Sequence, residues 1–127
     1  MHKFSIINTA ERPYLTWLKE GIKTAEGRIN SPKYQSIKIG DKIMFINQKS
    51  GEFICGFVIF KHEYNTFEQM LISEGVKNML PFLNDENLKE AIQVYEKFPG
   101  AERIKKFGCV AIGMKVTESK LDFFLKT

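Results

Sequence analysis

Gly21-Ile22-Lys23-Thr24-Ala25-Glu26-Gly27-Arg28 is the stretch on which the reading of this chain turns. It sets two cations, a hydroxyl and a carboxylate between apolar neighbours, with a glycine near each end where the backbone can turn or be closely approached. Ionisable groups of both signs beside apolar residues point to a polar site rather than a solvated surface run. Upstream, Pro13 suits the first turn of a helix, Tyr14, Leu15, Trp17 and Leu18 give that helix an apolar stripe, and Gly21 ends it. The octapeptide therefore lies on a helix-to-strand junction. A regular strand over 22–29 would put Thr24, Glu26 and Arg28 on one face and Lys23 and Ala25 on the other. Lys23 directly follows the junction, where the path need not be regular, so it can still point into a cleft with Glu26 and Arg28.

Outward from this stretch, residues 3–8 read as a short strand and Ser31 to Ile39 as irregular chain broken by Pro32. Gly40-Asp41 is a turn signal before a strand at 42–47, and Lys49-Ser50-Gly51-Glu52 turns it into a second, apolar strand at Phe53 to Phe60, placed centrally. The middle is helical. Asn65-Thr66 offers caps before Phe67, Met70 and Leu71. Asp85 precedes a longer helix with Leu88, Ala91, Ile92 and Tyr95 on its core face, and Pro99-Gly100 stops it. A last strand is expected from Phe107 to Val116, and 117–127 as a docked tail or edge strand. Strands early, helices in the middle and a strand late predict one α+β domain over 1–127, built on a small mixed sheet or partial barrel.

At 127 residues, 43% hydrophobic with eleven Phe, the chain is long enough for one real core. No apolar run approaches the roughly 20 residues of a membrane helix, and the N-terminus lacks a signal-peptide pattern. With Cys55 and Cys109 each inside an apolar run, the expectation is a cytoplasmic protein with two buried reduced thiols and no membrane partner. The formal charge of +4 permits an anionic partner without demanding one, and the excess of Lys and Arg falls in the N-terminal half, which holds the octapeptide. His2, His62 and the scattered cysteines fall short of metal-ligand spacing, and there is no phosphate-cradling glycine loop or dinucleotide fingerprint. No metal and no cofactor are expected.

The chain resembles the ASCH family of the PUA-like superfamily. The resemblance is carried by Gly21-x-Lys23-Thr24-x-Glu26-x-Arg28, by Ile39-Gly40-Asp41-Lys42, by Tyr64-Asn65-Thr66-Phe67 through Glu74-Gly75, and by Tyr95-x-x-Phe98-Pro99-Gly100. It extends to Gly108-x-Val110-Ala111-Ile112, covering residues 1 to about 116. It implies an α+β fold with a β-barrel of five or six strands, helices packed around it, and a cleft lined by the hallmark residues that binds RNA or a nucleotide or nucleoside. One bacterial branch is similar to an amidohydrolase that deacetylates N4-acetylcytidine. Its catalytic lysine corresponds to Lys23 and its glutamate to Glu74, while the position of its threonine is Glu26 here. Another branch is linked to ribonuclease activity.

The residue chemistry leaves several readings open. As a binding module, the chain would use Arg28 and Lys23 on a phosphate or base edge and Glu26 on an exocyclic amine. Thr24 would supply a hydroxyl, and Trp17, Tyr14 or Tyr64 a stacking surface. As an enzyme, it would use a desolvated Lys23 as base or nucleophile, with Glu26 or Glu74 moving protons. The plain structural readings make Glu26 and Arg28 an ion pair bracing the barrel and Trp17 a core anchor for its helix, and a third functional reading is a protein-interaction module whose cleft holds no nucleic acid.

Overall fold

The computed structural model describes residues 1–121. Five strands form one mixed sheet: β1 (His2–Ser5), β2 (Glu26–Ile29), β3 (Lys42–Ile46), β4 (Phe53–Tyr64) and β5 (Cys109–Lys120). Their spatial order is β1-β3-β4-β5-β2, so the apolar β4 is central as its sequence predicts. β1 runs parallel to β3, and the other pairings are antiparallel. Helices α1 (Tyr14–Glu20), α2 (Pro32–Gln35), α3 (Phe67–Glu74), α4 (Val76–Met79), α5 (Leu88–Glu96) and α6 (Ile104–Phe107) lie between the strands, with single 3-10 turns at Asp85–Asn87 and Ala101–Arg103.

β5 shows why the sheet organises the whole core. Successive side chains of a strand point to opposite faces. Val110, Ile112 and Met114 pack with Phe4, Leu15, Ile43, Phe45 and Ile54 on one side. Cys109 and Ala111 pack with Phe67, Met70, Leu71 and Tyr95 from the helices on the other. The strand is thus buried on both faces, which accounts for its continuous apolar run. Cys55 and Cys109 are buried free thiols.

Among the described residues the β-barrel that the resemblance implies is not closed, and the sheet is open: the edge strands β1 and β2 are four residues each and do not pair. The seam between them is bridged by a side chain, because Arg28 Nη2 on β2 donates to the carbonyl of Ser5 on β1 at 3.0 Å. The contact between these two edge strands is therefore side chain to backbone, with no ladder of backbone hydrogen bonds between them.

Three local expectations also change. Ser31 to Ile39 contains α2, with Pro32 at its first turn instead of acting as a breaker. Residues 104–107 are helical, and Gly108, at φ 68°, ends α6 before β5 begins at Cys109. β5 then runs past Val116 to Lys120, since pairing with β4 (Cys55 opposite Glu118, Phe53 opposite Lys120) needs backbone groups and not apolar side chains. Leu121 packs on the core, and the rest of the expected docked tail, 122–127, lies outside the described residues. Among the described residues no helix is long and apolar enough to cross a membrane.

Candidate functional site

One irregular turn gathers the polar groups of the octapeptide. Gly21 closes α1 in the left-handed conformation, at φ 76°. The chain then folds back: Lys23 N–H donates to the carbonyl of Trp17 at 3.0 Å, and Thr24 N–H to that of Asn78 at 2.9 Å. The strand itself begins only at Glu26. Lys23 is thereby freed from strand alternation and turns inward, to 1% exposure. Its ammonium donates to the Met79 carbonyl, lies 3.5 Å from Glu26 Oε1 and sits 5.6 Å from the centre of the Tyr14 ring.

Glu26 and Arg28 share one face of β2, as alternation requires. Arg28 Nε and Nη2 both approach Glu26 Oε2, at 2.9 and 2.8 Å, and Nη1 donates to the Tyr34 hydroxyl at 2.9 Å. Together with the bond to Ser5, these leave little of the guanidinium for a ligand. Burial pushes the Lys23 ammonium below its ordinary proton affinity, and the Glu26 carboxylate opposes this only in part. Burial pushes the Glu26 carboxyl up, but Arg28 and then Lys23 outweigh it, so it ends below the usual carboxylate range.

These three residues form the floor of a cavity of about 430 Å³. Tyr14, Tyr34, Phe67, Tyr95 and Phe98 supply aromatic wall, and Lys33 and Arg103 stand with them in the lining. The Tyr14 hydroxyl is buried without a hydrogen-bond partner, and burial raises its pKa. Gly27 is required by this packing: a Cβ there would lie 2.9 Å from the Tyr95 hydroxyl and 3.0 Å from Met70 Cε. Among the described residues no three His, Cys, Asp or Glu side chains converge as metal ligands.

The structure thus brings together Lys23, Glu26 and Arg28 and leaves four other candidates outside the cavity lining. Thr24 is exposed at the turn. Trp17 stacks on Phe82 with ring centres 6.3 Å apart and meets the edge of Tyr14. Tyr64 and Glu74 form a separate cluster, in which Glu74 Oε2 accepts from the Tyr64 hydroxyl and lies 2.7 Å from His62 Nδ1. In return the cavity recruits Tyr34, Lys33, Phe98 and Arg103, which sequence reasoning did not single out. Tyr34 and Lys33 belong to α2, in the segment read as irregular, and the helical position of Arg103 was equally hidden. Only the basic character of the N-terminal half hinted at Lys33.

Two solved structures resemble this chain closely. A hypothetical protein, PH0355, known from a crystal structure, is 34% identical with a TM-score of 0.74, over 91% of this chain and 99% of that one. Protein PF0455 from Pyrococcus furiosus, known from solution NMR, is 34% identical with a TM-score of 0.70, over 92% of this chain and 97% of that one. Comparison with curated proteins gave no match. The model of the ASCH domain matches residues 9–118, which include the turn, the buried ion cluster, β2, β3, β4 and most of β5. The chain belongs to the ASCH domain family.

Proposed function

We propose that the chain binds RNA or a nucleotide or nucleoside, with the base seated in the cleft above Lys23, Glu26 and Arg28. The observation that carries this reading is the buried ion cluster at the floor of an aromatic-walled cavity. Burying three charges costs several kcal/mol per ion before their attraction offsets it, so such a cluster is a poor device for stability alone. A cavity of this size, mostly apolar with a few converging polar groups, is the usual form of a small-ligand site. Aromatic side chains give a base a stacking surface. Glu26 Oε1 can accept from an exocyclic amine, and the unpartnered Tyr14 hydroxyl can meet a ring nitrogen or carbonyl. Titrating the protein with nucleosides, nucleotides and short RNAs, followed by amide chemical shifts, tests the reading. Shifts at Tyr14, Lys23 and Glu26 are expected, and silence from every ligand would sink it.

A second reading is supported by the environment of Lys23. Burial lowers its proton affinity beside a carboxylate, a combination suited to a general base. An amidohydrolase acting on an acylated nucleoside such as N4-acetylcytidine would break the acyl C–N bond with water, releasing the acid and the free amine. Glu74, the glutamate implied by resemblance, is outside the cavity, so Glu26 would be the carboxylate that moves the proton. Turnover of N4-acetylcytidine that disappears in Lys23→Ala is the expected sign. No turnover by the unaltered protein leaves binding as the function.

A further inference from the structure

Four cations and one carboxylate line the cleft, and the four are not equivalent. Lys23 and Arg28 are engaged by Glu26, Met79, Tyr34 and Ser5. Lys33 and Arg103 are exposed and form no ion pair among the described residues. Both are nonetheless held in place. The Lys33 ammonium lies 4.9 Å from the centre of the Phe4 ring, which stacks on Tyr34 at 4.3 Å. Arg103 Nε donates to the Gly100 carbonyl at 3.3 Å, leaving its terminal nitrogens for another partner. A lysine and an arginine that line one cleft and form no ion pair among the described residues are suited to an anionic group.

We propose that Lys33 and Arg103 take the phosphate of the ligand, so that the cleft prefers a phosphate-bearing nucleotide unit over a bare nucleoside. The inference rests on the reading that a base occupies the cleft. It adds which part of the ligand carries the selection. A nucleoside is uncharged and offers these two side chains only neutral acceptors, without an anion to attract them. A phosphate offers the planar guanidinium two acceptors and the ammonium a third. The same unit can arrive as a free nucleotide or as one nucleotide of an RNA.

The experiment measures affinities of the full chain for the four common ribonucleosides, their 5′-monophosphates and a 5′-phosphorylated trinucleotide, by calorimetry at low and raised salt. For the base that binds, the monophosphate is expected to exceed the nucleoside by about tenfold or more, the size of one charge-assisted hydrogen bond. That margin should shrink with salt, vanish in Lys33→Ala/Arg103→Ala, and survive Lys49→Ala, an exposed cation outside the cleft. Stronger binding of the trinucleotide would place the phosphate on RNA, and stronger binding of the monophosphate on a free nucleotide. Either result supports the inference. Equal affinity for nucleoside and monophosphate would overturn it while leaving the base-binding cleft intact. Failure of all three classes to bind would remove the cleft reading and the inference with it.

Discussion

Glu26 and Glu74 expose almost the same fraction of their side chains, 10% and 9%, yet they belong to different kinds of region. Glu26 faces two cations, one of them fully buried, at the floor of a cavity. Glu74 ends α3 and meets a tyrosine hydroxyl and a histidine that is 52% exposed. The first arrangement concentrates charge where solvent is excluded, which folding does not need. The second ties a helix end to β4 with partners that water can still reach. Burial of a carboxylate therefore does not mark a site by itself. What distinguishes Glu26 is permanent charge held against a cavity wall.

The comparison is broken or sharpened most strongly by removing each carboxylate in turn. Glu26→Ala leaves Lys23 and Arg28 without their counter-charge and is expected to destabilise the fold by about 3–5 kcal/mol in urea unfolding. Glu74→Ala removes hydrogen bonds at a partly wet joint and should cost about 1–2 kcal/mol. Equal costs would mean that the two regions do the same work. The acid limb of stability separates them again. Because the folded pKa of Glu26 lies below the ordinary 4.5, its stabilisation is complete above that value and is lost as pH falls through the lower folded value. Glu26→Gln should flatten the stability curve below about pH 4.5. An unchanged acid limb would show that the Lys23–Glu26–Arg28 cluster contributes no pH-linked stability.

Much of the inner region is legible in the sequence. Alternation placed Glu26 and Arg28 together and Gly21 marked the junction before Lys23, while only the family resemblance implied that Lys23 joins them. The central place of β4 followed from its apolar run. What could not be read were consequences of three-dimensional closure. Nothing in Pro32-Lys33-Tyr34-Gln35 announces that one helical turn would bring Lys33 and Tyr34 to a cleft formed by strands distant in sequence. Nor does local pattern reveal that an arginine side chain, not backbone pairing, would span the seam from β2 to β1. Glu74 is the converse case, a residue whose place in the fold its motif did not reveal. Its motif position suggested a site, and tertiary packing set it beside His62 and Tyr64.

A smaller effect is expected where the inner region is held to shape. The Cβ of Gly27→Ala would press on the Tyr95 hydroxyl, on Tyr95 Cε1 and on Met70 Cε, all at 2.9–3.0 Å. Overpacking of this kind costs about 1–3 kcal/mol. The displaced ring belongs to the cavity wall, so ligand affinity should fall along with stability. Adding Tyr95→Phe removes the hydroxyl contact and should restore part of the stability. No recovery would mean that the strain lies against the Tyr95 ring edge or Met70 and not against the hydroxyl.

The smallest effect concerns the outer region and is read in a titration. Tyr64 has its pKa pushed up to about 12, first by burial and then by its hydrogen bond to Glu74 and the charge of that carboxylate. Glu74→Gln keeps the burial and removes the charge. The phenol should therefore titrate lower, part of the way back toward 10, as followed by phenolate absorbance against the same variant carrying Tyr64→Phe. The joint is connected to the inner site through backbone carbonyls: the Asn78 side-chain Nδ2 donates to the Glu74 carbonyl, and the Asn78 and Met79 carbonyls in turn hold the Thr24 N–H and the Lys23 ammonium. None of those links uses the Glu74 carboxylate. The titration should accordingly move while binding in the cleft does not. If Glu74→Gln abolished binding as well, the two carboxylates would belong to one site, and the distinction between a charged cavity floor and a wet structural joint would fail.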